Sequence, residues 1–157
     1  MRSVNLKKVF EKSRKFSTTL TLKHSELDLP NDIMDSGESF SAQITIYKKG
    51  AFYEATISVI GKVLLECSRC LSVFKKELDL KETLSLRPYP KTYRENLKID
   101  DLAVSFIEDE ENFDLINLVR EQIILSIPTR RICSSESCQL PISSEGFSLR
   151  SLYEKAN

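Results

Sequence analysis

The 157-residue chain holds one histidine and four glycines, and it shows neither a Ser/His/Asp set nor a glycine-rich phosphate loop. Nucleophilic catalysis of the triad kind and nucleotide binding through such a loop are therefore not expected, and no catalytic residue is assigned. The lone His24 lies in the N-terminal third and is not read as a metal ligand or general base. No apolar stretch approaches the ~20 residues that span a bilayer, and MRSVNLKKVFEK lacks the apolar core of about 7 to 15 residues found in a signal peptide. A soluble, cytoplasmic protein without a membrane partner is the expectation. The formal net charge is zero with 29% of residues charged, which excludes both a polyanion mimic and a histone-like nucleic-acid binder.

That neutrality hides an uneven distribution. Residues 1–24 carry Arg2, Lys7, Lys8, Lys12, Arg14, Lys15 and Lys23 against a single Glu11, whereas Glu108, Asp109, Glu110 and Glu111 form an acidic run. The length suits one domain with a real hydrophobic core. The expected division of 1–157 is a basic N-terminal segment (1–37), β-hairpins (38–87), a loop-rich acidic segment (88–113), a helix (114–128) and a tail (129–157).

Periodicity supplies the elements. Phe40, Ala42, Ile44 and Ile46 alternate with Ser41, Gln43 and Thr45, the period-2 pattern of a strand with one buried face. After a turn at Lys48-Lys49-Gly50, a long second strand places Tyr53, Ala55, Ile57, Val59, Val63 and Leu65 on one face, with Gly61 read as a bend or bulge. A third strand runs back with Phe74, Leu78, Leu80, Leu84 and Leu86 inward. Residues 87–113 read mostly as loop, with one more short strand conceivable at Leu102 to Ile107. From Asp114 the period changes: Leu115, Leu118, Val119, Ile123 and Ile127 fall at helical spacing. Asp114 suits the N-cap, and Pro128 ends the helix by pushing the preceding residue out of the α region. Leu149, Leu152 and Tyr153 have the spacing of a short C-terminal docking helix. The fold class is α+β: an antiparallel sheet of central hairpins packed with one long, mostly buried helix.

The four cysteines fall in two close pairs, Cys67-x-x-Cys70 at the tip of a hairpin and Cys133-x-x-x-x-Cys138 just beyond the helix. Two short chelating turns brought together by the fold are the usual way to give zinc four thiolates, and in a reducing cytosol close pairs serve as ligands sooner than as structural disulfides. The zinc would be structural, because four protein thiolates leave no open position for water. The competing reading is two buried or oxidised pairs without metal. A thiol redox role for Cys67-x-x-Cys70 fits poorly, since a strand follows the motif where a redox motif has a helix.

Leu64-Leu65-Glu66-Cys67-Ser68-Arg69-Cys70-Leu71, then Phe113-Asp114-Leu115, Arg120-Glu121-Gln122-Ile123-Ile124-Leu125-Ser126-Ile127-Pro128, Cys133 and Cys138 together resemble the YceD family, whose members are named for large ribosomal RNA subunit accumulation. The resemblance covers the middle and last thirds; residues 1–37 contribute almost nothing to it. Many bacterial members carry a Gly-Leu-Cys-Pro stretch after the second pair, where this chain has Gln139-Leu140-Pro141. What the resemblance implies is a non-enzymatic, cytoplasmic factor in synthesis, processing or stability of large-subunit ribosomal RNA. Its partners would be that RNA or a ribosomal protein of the pre-ribosome, with no small-molecule substrate. The alternative is an adaptor that binds a basic ribosomal protein and affects the RNA indirectly; a thiol redox protein is the third possibility.

For RNA contact the candidates are Lys7, Lys8, Lys12, Arg14 and Lys15 of the basic arm, interleaved with Val9, Phe10 and Phe16, and Arg69, Arg130 and Arg131 beside the cysteines. Each has a plainer role open to it: a solvated surface for the lysines, and compensation of thiolate charge for the arginines.

Overall fold

The computed structural model describes residues 3–89, 104–136 and 138. In chain order the elements are β1 (Ser3–Val4), α1 (Leu6–Lys12), β2 (Lys15–Leu22), α2 (His24–Leu27), β3 (Met34–Asp35), β4 (Phe40–Lys49), β5 (Phe52–Glu66), β6 (Val73–Pro88), β7 (Val104–Ile107), β8 (Phe113–Asp114) and α3 (Leu115–Ser126). The main sheet has the order β2-β4-β5-β6-β7, and β3 pairs with β5 beyond the end of β4. β1 and β8 form a separate two-stranded ribbon.

The three central strands follow from strict alternation. Ala42, Ile44 and Ile46 of β4 and Ala55, Ile57 and Val59 of β5 are fully buried on one face, while their neighbours in sequence point the other way. On the outer face, Ser17 pairs with Thr45 at 3.0 Å and Thr56 with Thr83 at 3.4 Å through their hydroxyls. β4 turns into β5 through Gly50 and Ala51 alone. Gly50 takes a φ of 67°, which suits glycine at the first central position of a two-residue hairpin turn.

Gly61 is neither bend nor bulge. The β5–β6 ladder keeps one register from Tyr53↔Leu86 to Glu66↔Val73, and Gly61 sits opposite Leu78 within it. It is an inward position whose side chain is missing because Phe40 fills the space: a Cβ there would meet the Phe40 ring at 2.3 Å. Phe40 is itself almost fully buried, so its ring has nowhere to go.

The helix beside the sheet is shorter and more exposed than the sequence pattern suggests. α3 has 12 residues; Leu115, Leu118, Val119 and Ile123 are buried, whereas Leu125 is 77% exposed and Asn117 and Ser126 face solvent. "One long buried helix" is therefore corrected to a short amphipathic one packed on β5 and β6. Its ends are as expected: the Asp114 carboxylate accepts from the N–H groups of Ile116 and Asn117 at 2.8 and 3.2 Å, and Ile127, ahead of Pro128, is extended.

One further expectation needs correction: the sheet is mixed and not purely antiparallel, because β7 runs parallel to β6. β7 itself falls within Leu102 to Ile107, where one more short strand was conceivable. Residues 3–37 are an integral part of the fold. β2 pairs along its length with β4, Leu6 and Phe10 of α1 are buried, and the Phe10 ring lies 5.2 Å from that of Tyr53. The suggested helix around Leu149, Leu152 and Tyr153 lies outside the described residues, as do residues 90–103.

The Gly61 contact has a direct consequence. Gly61→Ala is expected to destabilise the protein by about 1–3 kcal/mol in denaturant unfolding, the usual range for overpacking a closed core. The double variant Gly61→Ala/Phe40→Ala should lose less than the sum of the two single changes.

Candidate metal centre

β5 delivers Cys67 one residue beyond its end, at the next inward position after Val63 and Leu65, and Cys67 is fully buried. The chain then reverses through Ser68, Arg69 and Cys70. The N–H of Leu71 donates to the Cys67 carbonyl at 2.9 Å, and the N–H of Cys67 donates to the Ser72 carbonyl at 2.9 Å. Leu71 takes a φ of 61° to close this knuckle, a left-handed conformation that costs a non-glycine residue roughly 1–2 kcal/mol.

The second pair arrives by a different route. Past Pro128 the backbone runs alongside the knuckle, where the N–H of Ser68 donates to the Arg131 carbonyl at 2.7 Å and the N–H of Arg131 donates to the Ser68 hydroxyl at 3.2 Å. The Arg131 guanidinium reaches across to Asp32, donating to its carbonyl at 2.9 Å and to its carboxylate at 2.6 Å. Buried Cys133 and half-buried Cys138 are thereby placed against the first pair.

All four sulfurs lie within 4.8 Å of one another. The close approaches run between the pairs: Cys67 Sγ to Cys138 Sγ and Cys70 Sγ to Cys133 Sγ, each 3.6 Å. Disulfide sulfurs sit ~2.05 Å apart, so these are free thiols. Four sulfurs each ~2.3 Å from one tetrahedral ion would be about 3.8 Å from one another. The donor set and its spacing fit an ion bound by four thiolates, so the cluster could hold a metal.

The surroundings prepare these thiols unequally. The backbone N–H of Cys133, 3.4 Å away, heads a set of amide donors, with Arg69 N–H at 3.5 Å, that draws the Cys67 thiol down to about 5. The Ser72 hydroxyl, 2.9 Å from Cys70 Sγ, lowers that thiol as well. Cys138 moves the other way, up to about 12, because the Cys133 side chain beside it and then burial both disfavour a further negative charge. A cluster without a cation therefore keeps protons that metal binding must displace.

The residues considered for RNA contact are scattered. Lys7 is 3.1 Å from Glu111, which raises its pKa, so the basic helix and the acidic run engage each other within one chain. The Leu6 N–H also donates to the Glu110 carbonyl at 2.8 Å. The Arg131 side chain is only 17% exposed and is occupied by Asp32. Arg69 is half-buried at the knuckle and Arg130 is exposed. Lys8, Lys12, Arg14 and Lys15 are exposed, and the Lys15 ammonium lies 5.6 Å from the centre of the Tyr47 ring. His24 is far from the thiols in role as well as sequence: its Nε2 contacts the Ile33 carbonyl at 2.7 Å. Asp32 is the residue that sequence reasoning missed, and no local pattern around it signals a partner 99 positions away.

The profile of the family described as large ribosomal RNA subunit accumulation protein YceD matches residues 55–153, more than half of the chain, and the chain belongs to that family. No curated protein and no solved structure matches it. The matched span contains the β5–β6 hairpin from Ala55 onward, α3 and all four cysteines.

Two substitutions separate the ligands from their support. Cys67→Ser is expected to abolish stoichiometric uptake in a cobalt(II) titration of metal-free protein, because it removes the thiolate with the most amide donors. Arg131→Ala keeps all four thiols. It is expected to cost about 1 kcal/mol in unfolding and to weaken metal uptake without abolishing it.

Proposed function

We propose that this member of the YceD family is a non-enzymatic cytoplasmic factor that supports large-subunit ribosomal RNA, and that its four cysteines hold one structural zinc ion. The observation that carries the zinc assignment is the closed donor set: four sulfurs at tetrahedral spacing, two of them buried. Zinc suits an all-thiolate tetrahedral site, and its chemistry there is structural, since all four positions are taken by protein. Cys67, Cys70, Cys133 and Cys138 are its ligands. The family description, large ribosomal RNA subunit accumulation, supports the ribosomal role.

An adaptor would offer the sheet edge or the acidic run to a basic ribosomal protein. That run is engaged at home: Glu111 holds Lys7, and Glu110 lies against Tyr53, whose hydroxyl is pushed up first by burial and then by this carboxylate. Nor does the low pKa of Cys67 by itself favour redox chemistry, because a metal ligand needs the same thiolate and this sulfur is buried. Among the described residues no helix is long and apolar enough to cross a membrane.

Depletion of the protein in cells is expected to lower large-subunit ribosomal RNA relative to small-subunit RNA by several-fold, read by quantitative hybridisation; an unchanged ratio would remove the ribosomal reading. Purified protein should carry one zinc per chain, and Cys67 should resist alkylation until a chelator is added. Rapid alkylation with zinc in place would instead point to a redox thiol.

A further inference from the structure

The outer face of the sheet is polar along most of its length, yet it changes character at the end opposite the cysteines. Register places Lys49, Phe52, Arg87 and Phe106 side by side across β4, β5, β6 and β7. The next row holds Lys15, Tyr47, Glu54 and Ser85. Partners in register share a face, so these side chains form one surface. Phe52 and Phe106 are 37% and 42% exposed, and Tyr89, its ring 5.6 Å from that of Phe106, is 58% exposed. The row of four spans three strand spacings, about 14 Å.

Cations are interleaved with these rings. The Arg87 guanidinium lies 5.8 Å from the centre of the Phe52 ring, and Lys15 sits similarly over Tyr47. Arg14 and Lys48 are exposed at the same corner, where the N–H of Lys48 donates to the Arg14 carbonyl at 3.3 Å. Against these stand Glu54, 3.7 Å from Lys49, and exposed Glu108, two residues past Phe106. Farther along the same face the character is lost: Ile60 pairs with Asp79, and Lys62 and Lys75 are both held by Glu38.

Exposed aromatic faces alternating with cations are what a single-stranded nucleic acid requires, because unpaired bases stack on rings while the backbone phosphates meet the ammonium and guanidinium groups. A protein partner matched by charge alone would leave the rings unexplained, and a duplex hides its bases from them. We propose that the Lys49-Phe52-Arg87-Phe106 row, with Lys15 and Tyr47, is a stacking platform for a single-stranded RNA segment. The proposal rests on the ribosomal RNA reading above and gives it a surface.

The test uses the full zinc-loaded chain and a fluorescently labelled single-stranded RNA of about ten nucleotides, with binding followed by anisotropy over a salt series. Phe52→Ala and Phe106→Ala should each weaken binding roughly tenfold. Lys15→Glu and Lys49→Glu should weaken it and flatten its salt dependence. Lys81→Glu, on the same face beside Ser58, should leave it unchanged, and a duplex of the same length should bind more weakly. If Phe52→Ala does not fold, Phe52→Leu keeps an apolar side chain without a ring face and should show the same loss.

Binding unaffected by all the platform substitutions overturns the proposal. So does a Phe52-dependent association with ribosomal proteins by a chain that binds no RNA, which would make the face a protein dock. The two layers fail separately. Platform-dependent RNA binding in a protein whose depletion leaves ribosomal RNA unchanged keeps the platform and removes the reading; loss of ribosomal RNA on depletion with platform variants binding normally does the reverse.

Discussion

The unbroken β5–β6 ladder is the constraint on which the rest of the structure hangs. Its register runs without a slip from Tyr53↔Leu86 to Glu66↔Val73, so it fixes what stands at each end. One end turns through the cysteine knuckle and the other carries Phe52 and Arg87. A single-residue slip would turn Cys67 outward and the Phe52 ring inward together, because side chains alternate with a period of two. The full burial of Ile57, Val59, Val63 and Leu65 along the inner face is what penalises that slip. Gly61 belongs to the same constraint: it keeps the ladder regular while letting the Phe40 ring cross it.

At the knuckle end, convergence of the thiols does not depend on an ion alone. Ser68 and Arg131 exchange two hydrogen bonds, and Arg131 is anchored to Asp32. These contacts bring the hairpin pair and the pair beyond α3 together. Crowding four thiols within 4.8 Å then creates an electrostatic demand. The amide donors around Cys67 favour its thiolate, while each further ionisation is opposed by the charge already present, as the raised Cys138 shows. A divalent cation answers that demand, and a disulfide would require the sulfurs to close from 3.6 Å.

Much of this was legible in the chain. The alternation of Phe40 to Ile46 and of Tyr53 to Leu65, the Asp114 cap, the Pro128 stop and the two cysteine pairs each state a local rule that the fold obeys. The basic N-terminal segment is harder to read because its charge masks its period. Phe16, Thr18, Leu20 and Leu22 point inward while Lys15, Ser17, Thr19 and Thr21 are exposed, a strand signal in which one of the inward positions, Thr18, is polar. β7 gave little to read, since four residues pairing in parallel with a strand 19 positions away leave no turn signature. The Arg131–Asp32 and Lys7–Glu111 pairs are non-local, 99 and 104 residues apart, and no sequence window contains them.

Electrostatics also argues for separating any ion at the cysteines from any RNA surface. Four thiolates around a divalent ion would leave a formal charge of about −2, and phosphates would gain little there. From Glu66 back to Phe52 the strand has 15 residues, roughly 45 Å end to end at ~3.3 Å per residue. That is several times the ~8 Å screening length at physiological salt, so the charge of the thiolate cluster is not felt at the Phe52 end. Any anion binding there would depend only on what is local: Lys15, Lys49 and Arg87 around a set of exposed rings, with Glu54 among them and Arg14 and Lys48 at the edge on the other face. The Ser68–Arg131 hydrogen bonds hold the tip of the hairpin against the chain beyond α3, and the long ladder presents a sheet end whose charge the thiols do not perturb.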